Sequence, residues 1–248
     1  MRYLYLLIVL LATTSCGSYL SYTDTIEVNG QRLLYAAEGK GKPVILIHGN
    51  GGSHNDLETT QRQLAQAGYM VYALDSRGQG ANKPLTEYHY KDMADDVLAF
   101  INAKGLKHPA IYGWSDGGII ALELESMHPG TCSLLAVSGA NIYAERPDRP
   151  KVFTWSLVNE DKTKLTPLEK MMDEEPDMTR EDLQKIKVPV LVCAGDKDLI
   201  LPEHTRMIAD YLPLGKLKII PDATHGSYIV HNPLMGEILL DFLKKNKY

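Results

Sequence analysis

A serine between glycines is the strongest chemical signal in the sequence. Residues 113–118 have the sequence GWSDGG, and they lie between a short apolar run and a helical pattern. A G-x-S-x-G motif between a strand and a helix forms a sharp turn that exposes the serine hydroxyl at the carboxyl edge of a sheet. The glycines allow the backbone to turn tightly and the helix to pack closely. The sequence therefore predicts that Ser115 is a nucleophile at the end of a buried strand.

A nucleophilic serine needs a base and an acid, and both are found downstream. A histidine must accept the serine proton, and a carboxylate must orient that histidine. His225 lies between the last predicted strand and the C-terminal helix, and we predict that it is the general base. Asp196 and Asp198 both follow the strand at residues 190–194. Asp196 could simply accept backbone hydrogen bonds in the turn, so we predict Asp198 as the acid and keep Asp196 as the alternative.

An acyl-transfer site also needs hydrogen-bond donors for the developing oxyanion. One is usually the backbone N–H of the residue after the nucleophile, here Asp116. The other comes from the loop after an early strand, where residues 48–52 have the sequence HGNGG. We predict Asn50 as this second donor and His48 as an anchor of the loop. The Asp116 carboxylate could also attract a cationic substrate group, although an acid in the first turn of a helix is its simpler role.

The elements that must position these residues alternate between strands and helices. A hairpin at residues 25–28 and 32–37 turns at Asn29-Gly30 and opens the domain. Continuous apolar runs then predict strands buried on both faces, and apolar residues at helical spacing predict the helices between them. Predicted strands cover residues 44–47, 69–74, 110–113, 134–137, 190–194 and 217–220. The alternation indicates an α/β fold with a mainly parallel sheet between two helical layers.

One stretch interrupts this alternation. Residues 141–187 are rich in charge and proline, and they contain apolar side chains between 152 and 158. We interpret the stretch as an inserted helical cap on a core formed by residues 24–140 and 188–248. The alternative is a disordered loop, but the apolar side chains offer surface that could pack over the core.

The N-terminal residues have the pattern of an export signal. Arg2 precedes an apolar stretch at residues 4–12, which is much shorter than the roughly 20 residues of a membrane-spanning helix. Small residues before Cys16 resemble a bacterial lipoprotein cleavage box. We predict residues 1–15 as a signal peptide and Cys16 as a lipidated residue that attaches the protein to the cell envelope. The alternative is an ordinary secretory signal, so export is expected in either case.

Composition and missing motifs argue against other classes of protein. A net charge of −5 and a pI near 5.9 provide no basic field for nucleic acid. The glycine runs match neither a dinucleotide-binding nor a Walker pattern, and no zinc-protease spacing occurs, which argues against a nucleotide-binding or zinc-dependent protein. Cys132 and Cys193 are predicted to be buried free thiols, because their offset on neighbouring strands exceeds disulfide reach.

Together these motifs resemble the α/β-hydrolase superfamily, closest to small esterases and biphenyl-hydrolase-like members. The matching features are His48-Gly49, the GWSDGG elbow, residues 75–80, residues 195–198 and the final His225, with the chain order Ser, Asp, His. The resemblance implies an eight-stranded, mostly parallel sheet with a lid after strand six. It also implies hydrolysis of an ester or related acyl bond of a small molecule, without a metal or organic cofactor. Carbon–carbon bond hydrolysis and perhydrolysis are alternatives on the same triad, and a silent binding module is a less favoured alternative of another class.

Overall fold

A single sheet carries the loops of the predicted site. The computed structural model describes residues 20–154 and 162–248. Its strands are β1 (Leu20–Val28), β2 (Gln31–Gly39), β3 (Pro43–Ile47), β4 (Met70–Leu74), β5 (Ala110–Trp114), β6 (Leu134–Ser138), β7 (Val190–Gly195) and β8 (Gly215–Ile220). They pair in the order β1-β2-β4-β3-β5-β6-β7-β8. The first two pairs are antiparallel and the other five are parallel, which confirms the predicted eight-stranded, mostly parallel sheet.

Helices cover both faces of this sheet. They are α1 (Glu58–Gln66), α2 (Tyr90–Ala103), α3 (Asp116–Met127), α4 (Pro167–Glu174), α5 (Arg180–Lys185), α6 (Pro202–Tyr211) and α7 (Leu234–Lys245), with 3-10 turns at His54–Leu57 and Lys162–Lys164. One apolar core packs α2, α3 and α6 against the sheet, and a second core packs α1 and α7 against the opposite face. Strands β4, β6 and β7 are therefore buried along their whole length, as their uninterrupted apolar sequences predict.

The direction of the parallel strands brings distant loops to one edge. The register pairs Trp114 with Ser138 at the ends of β5 and β6, and Gly195 with Ile220 at the ends of β7 and β8. Loops that follow these strands must start at the carboxyl edge, which is where open α/β sheets bind their ligands. Ser115, Asp198 and His225 all belong to such loops or to the turn after β5.

The hairpin begins earlier than its sequence indicates. Strand β1 starts at Leu20, whereas the sequence predicts its first strand only at residues 25–28. The pairing with β2 extends from Leu20 opposite Gly39 to Val28 opposite Gln31. Because β1 is an edge strand, pairing of its backbone with β2 extends it through residues 20–24, whose side chains are exposed and so give no burial pattern.

The segment predicted as a cap contains α4 and α5. Helix α5 packs against α3 and α6, and two isolated bridges join Tyr143 to Asp177 and Phe153 to Ile200. Val152 and Phe153 are buried, as their apolar character suggests. Residues 155–161, which contain the other apolar residues of this prediction, lie outside the described part of the chain. The division into core and cap stays a prediction.

Residues 1–15 and Cys16 also lie outside the described residues, so the signal peptide and the lipidation site stay predictions. Within residues 20–154 and 162–248, no helix is long and apolar enough to cross a membrane. Cys132 and Cys193 are free and buried. Cys193 pairs in register with Ser138, at the far end of β6 from Cys132. The two thiols therefore lie at opposite ends of this strand pair, as predicted.

Candidate active site

The turn between β5 and α3 holds Ser115 in a strained conformation. Its φ of 54° and ψ of −118° are rarely adopted by a residue with a side chain, and such strain costs about 1–3 kcal/mol. Close packing enforces the turn: a Cβ at Gly113 would lie 2.0 Å from the Gly117 carbonyl oxygen, and one at Gly117 would lie 2.1 Å from the Ile47 carbonyl oxygen. The Ser115 N–H donates to the Ser138 carbonyl oxygen at 2.7 Å. The surrounding backbone therefore fixes the predicted nucleophile.

His225 and Asp198 are in direct contact. The distance between His225 Nδ1 and Asp198 Oδ1 is 2.7 Å. The buried Asp198 carboxylate also accepts hydrogen bonds from the backbone N–H of Ile200, at 3.1 Å, and of Gly195, at 3.4 Å. A histidine that donates from Nδ1 to a carboxylate keeps Nε2 available to accept a proton. The structure thus places these two residues in the relation that a general base and its orienting acid require.

Asp196, the alternative acid, has different partners. Its Oδ1 atom accepts a hydrogen bond from the backbone N–H of Ala223 at 3.3 Å. This is the turn-stabilising contact that its position directly after Gly195 suggests. The geometry therefore favours Asp198 over Asp196 as the partner of His225.

Two neighbours hold the His225 ring in place. A Cβ at Gly139, where φ is +59°, would lie 2.7 Å from both Cε1 and Nδ1 of the imidazole, so only glycine leaves room for the ring. The Trp114 indole N–H donates to the His225 carbonyl oxygen at 2.9 Å, and the two ring centroids are 5.7 Å apart. The elbow and the β6–cap junction therefore both fix the position of the histidine.

The HGNGG loop after β3 lies beside the elbow. A Cβ at Gly49 would be 3.2 Å from the Ser115 Cβ. The predicted anchor His48 is buried, and its Nε2 accepts a hydrogen bond from the Ser76 N–H at 3.0 Å. Burial lowers the pKa of His48, which favours the neutral ring that this contact requires.

Both predicted oxyanion donors have free backbone N–H groups. Asp116 is the first residue of α3, where a helix leaves its N–H groups without partners inside the helix. Among the described residues, neither the Asp116 N–H nor the Asn50 N–H donates to another group. The helix dipole adds to the attraction for negative charge at this position. The two N–H groups are thus available for an oxyanion formed at Ser115.

The side chain of Asp116 is buried and bridges two other elements. Its Oδ2 atom accepts a hydrogen bond from Asn50 Nδ2 at 2.8 Å, and its Oδ1 atom accepts one from the Tyr90 hydroxyl at 2.9 Å. Burial raises the pKa of the Asp116 carboxyl to about 6, although both hydrogen bonds act in the opposite direction. The predicted helix-start position of Asp116 is correct, but the bridge to Tyr90 has no signal in the sequence.

Ser115, His225, Asn50 and Asp116 line one pocket of about 280 Å³. Its polar walls contain Ser115, His225, Asn50, Asp116, Tyr90, Asn141 and Glu175, and its less polar walls contain Gly49, Trp114, Phe153, Met172, Leu199 and Ile200. Sequence reasoning did not single out Glu175, which accepts a hydrogen bond from the Tyr90 N–H at 3.0 Å and contacts His89 Nδ1 at 2.6 Å. A mainly apolar pocket with a few convergent polar groups is typical of small-molecule sites.

The described residues contain no group of side chains suited to binding a metal ion. Within residues 20–154 and 162–248, no cluster of His, Cys, Asp or Glu side chains has an arrangement that could hold a metal ion. The pocket itself contains the Ser115 and His225 side chains and the backbone N–H groups of Asn50 and Asp116.

Known proteins share this architecture. The family model of the alpha/beta hydrolase fold matches residues 42–167, and the chain belongs to that family. The human serine hydrolase BPHL is 26% identical to this chain in an alignment that covers 88% of this chain and 85% of that protein. The AB hydrolase superfamily protein YisY of Bacillus subtilis is 25% identical in an alignment that covers 82% of this chain and 92% of that protein.

Solved structures agree on the fold. The structure of a thermophilic esterase from Thermogutta terrifontis aligns with a TM-score of 0.74 at 20% identity, covering 92% of this chain and 99% of that chain. An identity this low shows the fold alone. The family match and the shared fold therefore identify the protein as a hydrolase of the alpha/beta type. They do not identify the bond that it cleaves or its substrate, which must be inferred from the pocket.

Proposed function

We propose that the protein is a serine hydrolase that cleaves an ester, or a related acyl bond, of a small to medium-sized molecule. The contact of 2.7 Å between His225 and Asp198, at the pocket that contains Ser115, is the observation that carries this proposal. It supplies the oriented base without which a serine hydroxyl is a weak nucleophile near neutral pH. No cofactor takes part in this chemistry.

In the proposed cycle, Ser115 Oγ attacks the acyl carbon while His225 takes the serine proton. Asp198 stabilises the resulting imidazolium, and the N–H groups of Asn50 and Asp116 bind the oxyanion. His225 then gives the proton to the leaving group as the bond to the acyl carbon breaks, which leaves an acyl-serine. Water attacks the acyl-serine with His225 again as the base. The bond between the acyl carbon and Ser115 Oγ then breaks, His225 returns the proton to Oγ, and the acid product leaves. Loss of one oxyanion donor typically costs about 10²–10³ in kcat.

The walls of the pocket indicate where selectivity lies. Phe153, Met172 and Glu175 come from the segment predicted as a cap, and they share the pocket with Ser115. The pocket volume of about 280 Å³ is at the lower end of small-molecule sites. We therefore expect short or compact acyl groups to be preferred, with these three side chains deciding among them.

The same triad supports other reactions, and substrate tests separate them. Carbon–carbon bond hydrolysis and perhydrolysis would use the same triad. A silent binding protein would use the pocket only to bind a ligand. A panel should compare esters of increasing acyl length with an amide, a carbon–carbon hydrolase substrate and acetate plus hydrogen peroxide. We expect the esters to give the highest kcat/KM, and a higher value for another class would replace the proposed reaction.

Covalent labelling tests the nucleophile without knowledge of the substrate. A fluorophosphonate probe should modify the wild type at Ser115, as mapped by peptide mass spectrometry, and should not modify Ser115→Ala. Ser133→Ala is a matched control, because Ser133 bonds the His108 carbonyl before β6 and does not line the pocket. Labelling that persists in Ser115→Ala, or its absence from the wild type, would refute the activated serine.

We also propose that the protein is exported and anchored in the bacterial cell envelope by a lipid on Cys16. The support is the charged, apolar and small-residue pattern of residues 1–16. Metabolic labelling with an alkyne-tagged fatty acid should mark the wild type in the membrane fraction and leave Cys16→Ser unmarked. Export of an unmarked wild type would favour the ordinary secretory signal.

A further inference from the structure

Two backbone contacts already hold the HGNGG loop around Asn50: the Gly52 N–H donates to the Gly49 carbonyl oxygen at 3.1 Å, and the Gly51 N–H donates to Gln79 Oε1 at 2.7 Å. Gly51 has a φ of +66°, and glycines occupy positions 49, 51 and 52 around Asn50. An oxyanion donor must lie about 2.7–3.1 Å from the position of the developing charge to be effective. A glycine-rich backbone has many accessible conformations, so fixing it in one of them requires contacts with rigid neighbours.

The side chain of Asn50 supplies one such contact. Its amide donates to Asp116 Oδ2, and the other carboxylate oxygen is held by the Tyr90 hydroxyl. Tyr90 is fully buried at the start of α2, and Asp116 is buried at the start of α3. The loop after β3 is therefore tied through one carboxylate to the starts of two helices. One of them, α3, carries the other oxyanion donor.

We propose that the Asp116 side chain is a positioning group that holds the Asn50 N–H at the oxyanion site. The proposal rests on the proposed function, because it assigns a role within the same acyl transfer. It is separate from the role of the Asp116 backbone N–H as a donor. The carboxylate sets the distance between the two donors and does not itself touch the oxyanion.

The free-energy cost of burying the Asp116 carboxylate supports a functional role for this side chain. A buried carboxylate whose hydrogen-bond partners are an amide and a hydroxyl lacks the pairing that usually stabilises a buried charge. An apolar residue here would avoid the cost of the buried charge but would leave the Tyr90 hydroxyl and the Asn50 amide without this partner. Buried ionisable groups with perturbed pKa values in a pocket are typical of functional sites.

The other role considered for Asp116, attraction of a cationic substrate group, makes a different prediction. Asp116→Asn removes the charge but can keep the bridge, because the new amide oxygen can accept from Asn50 and the new amide nitrogen can donate to the Tyr90 hydroxyl. Asp116→Ala removes both charge and bridge. The two substitutions therefore separate positioning from charge attraction.

The experiment measures kcat and KM on a neutral and a cationic ester of equal size for five proteins. These are the wild type, Asp116→Ala, Asp116→Asn, Asn50→Ala and the double variant Asp116→Ala/Asn50→Ala. Asn50→Ala keeps the backbone donor and removes only the side-chain contact. Thermal unfolding of each variant checks that it is folded.

We expect Asp116→Ala and Asn50→Ala each to lower kcat about tenfold on both esters, with KM changed less than about twofold. The double variant should be no slower than either single variant, because both remove the same contact. Asp116→Asn should recover most of the kcat lost in Asp116→Ala.

Three results would overturn the inference. They are an unchanged kcat in Asn50→Ala and Asp116→Ala, losses that multiply in the double variant, or a loss in both Asp116 variants that is confined to the cationic ester. Wild-type protein that hydrolyses no ester would instead overturn the proposed function, and this inference with it.

Discussion

Asp198 and Asp116 are two buried carboxylates in different surroundings, one on the base side of the site and one on the oxyanion side. Asp198 contacts the His225 imidazole and accepts hydrogen bonds from two backbone N–H groups. Asp116 accepts hydrogen bonds from the side chains of Asn50 and Tyr90, which carry no charge. The first carboxylate is paired with a group that becomes cationic during the proposed reaction. The second makes no direct contact with such a group, and burial raises its pKa to about 6, although the charge of His225 acts in the opposite direction.

The difference suits one residue type to two purposes at neighbouring positions of the proposed site. A carboxylate beside the imidazole lowers the free energy of the imidazolium, so its charge is used in the transition state. A carboxylate between an amide and a hydroxyl contributes mainly by its geometry, and its charge costs stability. Replacing each carboxylate by its amide should therefore have very different consequences.

The largest effect is expected for Asp198→Asn. An amide at this position keeps the shape of the side chain but cannot stabilise the imidazolium and favours the wrong histidine tautomer, so kcat on an ester should fall by about 10³–10⁴. Asp196→Asn is the matched control, and its kcat should change less than about threefold because Asp196 contacts the Ala223 backbone. Equal losses in the two variants would contradict the assignment of Asp198.

A second test displaces the imidazole without touching the triad. The Cβ added by Gly139→Ala would lie 2.7 Å from the His225 ring, so the ring must shift, and kcat should fall about 100-fold. Gly130→Ala is the control for backbone strain, because Gly130 has a φ of +89° but no atom within 4 Å of the added Cβ. If both variants lose the same activity, strain and not ring displacement is the cause.

A third test measures stability against pH. The folded-state pKa of Asp116 is about 6 and its ordinary value is 3.8, so its stabilising contribution is complete below the ordinary value and is lost as pH rises through 6. Between pH 5 and pH 7.5, the free energy of unfolding of the wild type should fall by about 1–2 kcal/mol relative to Asp116→Asn. Urea titrations at the two pH values measure this difference. Parallel behaviour of the two proteins would show that the buried charge costs nothing.

The smallest effect is expected for Tyr90→Phe. The change removes one hydrogen bond to Asp116 but leaves the contact with Asn50, so kcat should fall only about threefold. Tyr88→Phe is the matched control, since the Tyr88 hydroxyl bonds the Gly78 carbonyl and the Leu85 N–H outside the pocket. A kcat loss in Tyr90→Phe as large as that of Asp116→Ala would make the tyrosine the principal anchor.

The sheet and the order of the site residues were predictable because their signals are local. Uninterrupted apolar runs locate the buried strands, and parallel strands bring the loops that follow them to one edge. That topology was sufficient to predict that Ser115, Asp198 and His225 belong to one edge of the sheet. The start of β1 was missed because the backbone of an edge strand can pair through residues whose side chains are all exposed.

Contacts between distant segments were not predictable. The distinction between Asp198 and Asp196 depends on the path of one loop, and both residues follow the same strand. Tyr90 and Glu175 reach the pocket from α2 and from the predicted cap, in positions without a motif. Their roles arise from tertiary packing of segments that are far apart in the chain, which single-sequence patterns do not encode.

The rate of fluorophosphonate labelling at Ser115 tests the central claim most directly, because it reports the reactivity of the serine without a substrate. The wild type should be compared with His225→Ala at equal probe concentration, with the modified residue identified by mass spectrometry. If His225 activates Ser115, the second-order rate should fall by at least about 10³ in His225→Ala. Labelling of Ser115 at the wild-type rate in His225→Ala would contradict the proposed triad.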